Sequence, residues 1–415
     1  MKNNQVIQVY EHEFRKIGGA FKKKHLKAFS KLNSLNDDCY FDLRYNGIKF
    51  KNYVGVIEVD GLTVEILPKI DSSGNDNPGL WRDVLINMLK ATKKLKVQKV
   101  GEANVSKQKI HLLDIYFEWY LSEVELLVRQ GLIKQYYRKA GNVKALKGKL
   151  EFAGHLQKNL IHKERFYTTH QVYDYDHQIH QILSYALAII EHFSKGTYLY
   201  SKCKSVQLNF PEVAACKIDA NTFKKLRLNR KSQPYKTALE IARLIILQYA
   251  PNISSGDEKM LALLFDMNML WEEYVLVQLK SAARTYKNFD VYSQRSQSFW
   301  PGVSIRPDII IETDKETFVL DTKWKNIRNH NPSAQDLRQM YVYNDYWKKD
   351  NKPANSLLLY PTTDKTNLPI YKKFVDRDHN CAIGKLNILK NTKLDVQLGS
   401  NILEQWLEID NLGTS

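Results

Sequence analysis

The stretch Ser304–Lys325, SIRPDIIIETDKETFVLDTKWK, decides the fold of the second half of the chain. Its arms, IRPDIIIE and TFVLDTKW, are rich in Ile, Val, Thr and Phe and are joined by Thr313-Asp314-Lys315-Glu316. β-Branched and aromatic runs around a short polar loop predict a hairpin, and four-residue hairpin loops are common. Closing that loop pairs Glu312 with Thr317, and counting outward sets Asp308 opposite Asp321. Side chains alternate along a strand, so Lys323 shares the face of Asp321.

Two carboxylates facing each other across a ladder repel unless a cation lies between them. Hard oxygen donors suit Mg2+, which takes one or two protein carboxylates and completes its shell with water and phosphate. An ammonium two residues on can orient the attacking water or offset charge developing on a phosphate. The pattern therefore predicts a metal-dependent phosphodiester hydrolase. The plainer alternative is that Asp308 merely follows a proline at a strand start, with Asp321 and Lys323 an exposed ion pair.

Two features on either side bear on that choice. Met260 to Tyr286 reads as one apolar helix, with Leu261, Leu264, Phe265, Asn268, Glu272, Val275, Leu276 and Leu279 on one face. Glu272 is the only charge on that stripe. An unpaired buried carboxylate is costly, so it needs a partner, and a metal or its water shell would serve; otherwise it reaches solvent at the edge of the stripe. Downstream, Gln339 and Tyr343 lie four apart and stack on one face of the helix expected after Ser333.

Pro307-Asp308, twelve residues, then Asp321-Thr322-Lys323 resembles the PD-(D/E)xK nuclease motif, and Gln339-Met340-Tyr341-Val342-Tyr343 resembles the QxxxY helix of its RecB-like branch. The resemblance implies an α/β restriction-endonuclease-like domain. It also implies a metal held by Asp308, Glu272, Asp321 and the Thr322 carbonyl, with Lys323 catalytic. Mg2+ is the expected ion, with Mn2+ able to replace it.

The composition agrees with an anionic substrate. Sixty-two Lys and Arg against 45 Asp and Glu give a net charge of +17, a field that favours nucleic acid. At 415 residues the chain is long enough for two or three domains, and 43% hydrophobic with 26% charged residues describes an ordinary globular protein. No apolar run is long enough to span a membrane, and MKNNQVIQVYEHEF has no apolar signal-peptide core. Cys39, Cys203, Cys216 and Cys381 show no zinc spacing, and four scattered thiols fit a reducing cytoplasm.

The N-terminal 250 residues divide into a β-rich part, about 1–75, and a helical part, about 80–250. Asp60-Gly61 between two strand-like runs is a hairpin signal, and 71–79 reads as a loop. Helices are expected over about 80–95, 110–132, 173–193 and 236–249. GNVKALKGKLEF, residues 141–152, lacks the spacing of a phosphate loop. His177 and His180 are spaced to share a metal but have no evident acidic or Cys partner. Nine Lys and Arg fall between Ser201 and Lys236; of these Lys224, Lys225, Arg227, Arg230 and Lys231, together with Lys325 further on, are the candidate DNA contacts. A merely solvated face or a protein-docking surface is the alternative. The segment 251–256 is the expected boundary before a nuclease domain of residues 251–415.

VYEHEF, NYVGVIEVDGLTVEILPKI, LKGKLEF and LWEEYV resemble the McrC family, the endonuclease subunits of McrBC-type restriction systems. That resemblance implies an α+β multidomain protein whose N-terminal region binds and stimulates a McrB-like AAA+ GTPase ring while the C-terminal domain cuts DNA. A role in phage defence and dependence on DNA modification are implied by that resemblance alone. A stand-alone RecB-like repair nuclease and a cleavage-inactive DNA- or motor-binding scaffold are the alternatives.

Overall fold

The acid-bearing stretch forms the hairpin that its spacing predicts. In the computed structural model, Ile309–Thr313 and Thr317–Thr322 are antiparallel, with Glu312 opposite Thr317 and Ile309 opposite Leu320. The structure describes residues 5–34, 37, 39–59, 61–70, 77–94, 112–250, 260–285, 289–325, 327, 332–348, 352–364, 366–375 and 377–407. The Thr313 hydroxyl and amide both bond Glu316 O, which closes the loop.

The hairpin lies in a six-stranded mixed sheet of order Phe289–Ser293, Ile309–Thr313, Thr317–Thr322, Ala354–Thr362, Asn380–Asn387, Asn367–Lys373. Thr317–Thr322 pairs parallel with Ala354–Thr362, and every one of its residues is buried. Strands covered on both faces read as continuous apolar runs, as Phe318-Val319-Leu320 and Leu357-Leu358-Leu359 do. The helix Ala334–Trp347, capped by the Ser333 side chain on Asp336 N, places Met340, Tyr343 and Trp347 against Ile310, Val319 and Leu358. Alternation along the strand therefore points Asp321 toward this helix. Trp324 points to the opposite face, with its ring 5.6 Å from that of Trp271.

Trp271 belongs to the helix Met267–Ala282. The expected single helix over 260–286 is corrected here: Met260–Asp266 is a strand and the helix begins after it. Asp266 caps that helix by accepting from Asn268 N and Met269 N, so the chain changes conformation at a charged residue inside the apolar run. A short buried strand and a buried helical segment are indistinguishable by apolarity alone.

Contacts divide the chain into two compact units: Met1–Asn4, Val59–Gly61 and Gln98–Leu263 in one, and Gln5–Glu58, Leu62–Val97 and Leu264–Ser415 in the other. This differs from the expected cut between 250 and 251. The N-terminal strands join the unit of the acid hairpin through packing and hydrogen bonds that local composition does not encode. Asn52 O accepts from Met267 N at 2.8 Å, and Trp324 Nε1 donates to Glu11 Oε1 at 2.6 Å. In that unit Gln5–Tyr10 runs parallel to Leu62–Leu67. The helix Pro78–Ala91 begins inside the segment expected to be loop, because Asn77 caps it and Pro78 suits its first turn.

The other unit packs the helices Leu112–Gln130, Gln178–Phe193, Tyr198–Leu208 and Lys236–Leu247 through faces that include Tyr120, Leu183, Cys203 and Ile245. Its strands Gln135–Val143 and Phe166–Asp174 are antiparallel and enclose the short helix Phe152–Asn159 in sequence. Tyr173, expected in a helix, ends a strand and stacks on Tyr136, with 4.4 Å between ring centroids. Asp60 of the expected Asp-Gly turn, most of 71–79 and the linker 251–256 lie outside the described residues. Among the described residues no helix is long and apolar enough to cross a membrane.

Candidate active site

The strand end at Asp321-Thr322-Lys323 meets the start of its partner strand at Asp308. The Thr322 amide and hydroxyl both donate to Asp308 Oδ2, at 2.8 and 3.0 Å. Asp321 is almost fully buried. Its Oδ1 accepts from Gln339 Nε2 at 3.0 Å, and its Oδ2 lies 2.6 Å from Nζ of Lys323. Oδ2 is shielded from solvent and accepts no well-aligned hydrogen bond. The Asp321–Lys323 ion pair of the plainer alternative is thus present, but the carboxylate is only 1% exposed. It belongs to the class in which removing one partner strands a charge, at a cost of about 3–5 kcal/mol.

Electrostatics follow from this crowding. Burial, and then the facing Asp308 carboxylate, push Asp321 up to about 7 against the pull of Lys323. Burial also raises Asp308, with the Thr322 amide and Lys323 opposing it. Burial alone would lower Lys323, but the Asp321 carboxylate more than restores it and holds the ammonium above its ordinary value. The pair therefore carries stored repulsion that a divalent cation would relieve.

The helix Ala334–Trp347 holds the second layer. Gln339 Nε2 reaches both Asp321 Oδ1 and Tyr343 Oη, the latter at 2.8 Å, and Tyr343 Oη donates to Arg306 O at 3.1 Å. The i, i+4 stacking expected of this pair is present. It ties Asp321 to the backbone two residues before Asp308. On the same helix Asp336 takes an ion pair from Lys325 at 3.4 Å.

Glu272 does lie on a helix near the acids, half-buried, and accepts from Gln294 Nε2 at 2.7 Å. Burial and then Asp308 raise its carboxyl above the usual range. Gln294 also donates its amide to Asp308 O at 3.0 Å and adopts φ +48°, a left-handed conformation uncommon outside glycine and often found at functional sites. Nothing in the sequence marked Gln294. Among the described residues no three His, Cys, Asp or Glu side chains converge as a ready metal cluster. Glu272 lies near enough to Asp308 for that carboxylate to raise it, on the side of the site braced by Gln294. The donor set suits an ion held by the two aspartates and largely hydrated, which is how Mg2+ binds.

A second missed contact lies behind the strand. Glu11 Oε1 accepts from Trp324 Nε1 and, at 2.9 Å, from Lys69 N. Burial raises the Glu11 carboxyl to about 8. His12 Nε2 comes within 3.8 Å of Glu11 Oε2, but burial also lowers the imidazole, so the two are not an ion pair at neutral pH. Glu11 belongs to the VYEHEF segment; its link to Trp324 had no local signal.

The remaining expected residues lie elsewhere. Lys224, Lys225, Arg227, Arg230 and Lys231 are all exposed, in the unit that does not contain the acids. His177 bonds Ile133 O and His180 bonds Tyr175 O, at 3.0 and 2.8 Å, which gives both histidines a structural role.

A family model described as McrBC 5-methylcytosine restriction system component matches residues 48–361. The chain is 23% identical over 298 residues to the type IV methyl-directed restriction enzyme EcoKMcrBC of Escherichia coli (strain K12), covering 66% of this chain and 84% of that protein. Among solved structures it resembles the refined half-complex from a tetradecameric assembly of Thermococcus gammatolerans McrB AAA+ hexamers with bound McrC. The TM-score is 0.70 at 19% identity, over 98% of this chain and 100% of the matched one. A cryo-EM structure of the Thermococcus gammatolerans McrBC complex matches at 20% identity with a TM-score of 0.48, over 68% of this chain and 90% of that one.

Proposed function

From the premise that this chain belongs to the McrBC 5-methylcytosine restriction system component family, we propose that it is the DNA-cutting subunit of such a system, a PD-(D/E)xK endonuclease working with a McrB-like AAA+ GTPase. The observation that carries this is the buried Asp321 held between Gln339 and Lys323 and facing Asp308.

Asp308 and Asp321, with the Thr322 carbonyl, would hold Mg2+, which would supply Lewis acidity and an activated water. Gln339 fixes Oδ1 of Asp321 and so turns Oδ2 toward Lys323. The Lys323 ammonium, held charged by its surroundings, offsets negative charge as the scissile phosphate passes through its transition state. Glu272, braced by Gln294, orients water from the side of Asp308. Tyr343 keeps Gln339 and the Arg306 backbone in register.

An exposed apolar row in the other unit supports a partner surface there. Phe152, Leu156 and Leu160 recur every four residues along and just beyond the short helix, exposed at 72, 63 and 74%, with Ile161 beside them at 87%. An unburied apolar row of this kind marks a protein-interaction site. The McrC in the matched complex is bound to McrB hexamers, and a McrB-like ring is the partner assigned to this row. Dependence on 5-methylcytosine is carried over from the family description.

The test is cleavage of methylated duplex DNA by the full chain with its GTPase partner, GTP and Mg2+. Asp321→Ala and Lys323→Ala should each lose at least about a hundredfold in cutting rate while still stimulating GTP hydrolysis. Mn2+ titration calorimetry should show binding by the wild type and none by Asp308→Ala/Asp321→Ala. Full cleavage by either single variant rejects the assignment, and cutting without a GTPase partner favours the stand-alone repair nuclease.

A further inference from the structure

Just before Asp308 the chain forms a two-stranded ribbon that packs on the core through Ile305 and otherwise stands exposed. Gln297–Trp300 pairs antiparallel with Val303–Ile305, turning at Pro301-Gly302, where Gly302 takes φ +79°. Trp300 stands at this turn 68% exposed, with Phe299 and Val303 exposed at 44 and 52%. Phe299 rests against Tyr346, with 5.6 Å between ring centroids, which braces the ribbon on the helix Ala334–Trp347. Both ends are anchored at the acids: Gln294 before it bonds Glu272 and Asp308, and Arg306-Pro307 after it leads into Asp308.

Between ribbon and helix lies an open cleft of about 970 Å3 lined by Phe299, Ser304, Arg306, Gln335, Arg338 and Gln339. Arg306 and Arg338 are exposed; Arg306 makes no direct ion pair among the described residues but draws the Glu272 and Asp308 carboxyls down. Two guanidinium groups in a cleft lined by Phe299, next to a ribbon that exposes Trp300 at its turn, match the two things a nucleic-acid strand offers, phosphate charge and base faces. A two-stranded ribbon also fits the major groove of B-form DNA.

We propose that the ribbon Gln297–Ile305 is a DNA-contacting arm that enters the groove beside the scissile phosphate, with Trp300 packed on the bases and Arg306 and Arg338 on the flanking phosphates. This rests on the nuclease reading of the neighbouring acids and goes beyond it by naming the substrate contacts. The arm's covalent attachment three residues before Asp308 lets groove contact set where the phosphate falls relative to the acids.

The experiment is fluorescence anisotropy of the full chain on a labelled duplex in EDTA, where cleavage does not run, over a range of salt concentrations. Trp300→Ala should weaken binding roughly tenfold without changing the slope of log affinity on log salt, because stacking is not ionic. Trp300→Phe should restore most of the loss. Arg338→Gln should lower the slope by about 0.9, the signature of one lost phosphate contact.

Wild-type affinity in Trp300→Ala overturns the proposal. So does a Trp300→Ala protein that binds DNA normally but no longer stimulates its GTPase partner, since the ribbon would then be a protein-docking element. Failure of the wild-type chain to bind duplex DNA overturns the arm and leaves the nuclease reading to the cleavage assay with the GTPase partner. Asp321→Ala separates the two: weakened binding in Trp300→Ala alongside undiminished cutting by Asp321→Ala leaves the arm standing and rejects the acid assignment. Trp300 is mostly exposed, so unchanged thermal melting of its variants shows that the fold is intact.

Discussion

Replacing Glu11 by Gln should abolish a defined part of the protein's pH dependence. Burial raises the Glu11 carboxyl from 4.5 to about 8. Between these values the folded protein holds a proton that the unfolded chain has released, so stability is fullest below about pH 4.5 and falls as pH rises toward about 8. The slope is about 1.4 kcal/mol per pH unit. From pH 5.5 to 7.5 this one group therefore removes about 3 kcal/mol. The amide oxygen of Gln can still accept from Trp324 Nε1 and Lys69 N. Its NH2 takes the place of Oε2, which has no hydrogen-bond partner, and leaving that donor unmet costs about 1–3 kcal/mol at every pH.

That constant cost cancels when the wild-type–variant difference is compared between two pH values. Denaturant or thermal unfolding of both proteins at pH 5.5 and 7.5 gives the difference directly. The variant should gain about 3 kcal/mol relative to wild type across the interval. A difference independent of pH would mean that Glu11 is ionised in the folded protein, and the account of its burial against Trp324 would fail.

Gln339→Ala removes the bonds to Asp321 and Tyr343 and should lower cleavage by about ten- to a hundredfold, with about 1 kcal/mol lost in stability, read from single-turnover rates and melts. Gly384→Ala should destabilise the protein by about 1–3 kcal/mol or prevent soluble expression, because its Cβ would fall 2.3 Å from the Trp406 ring. Phe152→Ser with Leu156→Ser should leave the melting temperature within a degree or two of wild type and abolish stimulation of GTP hydrolysis by the partner, since both side chains are exposed.

The arrangement of Asp308, Asp321 and Lys323 was legible from residue order, because a strand's period of two and a four-residue loop leave one register that buries the Ile and Val faces. Gln339 and Tyr343 were legible for the same kind of reason, a helix placing i and i+4 together. Met260–Asp266 was not, since the buried apolar run Met260–Leu264 satisfies a strand and a helix equally well and Asp266 decides between them only through its cap. Glu11 with Trp324 and Gln294 with Glu272 are separated by 313 and 22 residues, and no local pattern couples such pairs. Chain order alone thus determined which groups share a strand or helix face. The tertiary structure decided which of them are stripped of water, and that removal is what raises Asp321 to about 7 and Glu11 to about 8.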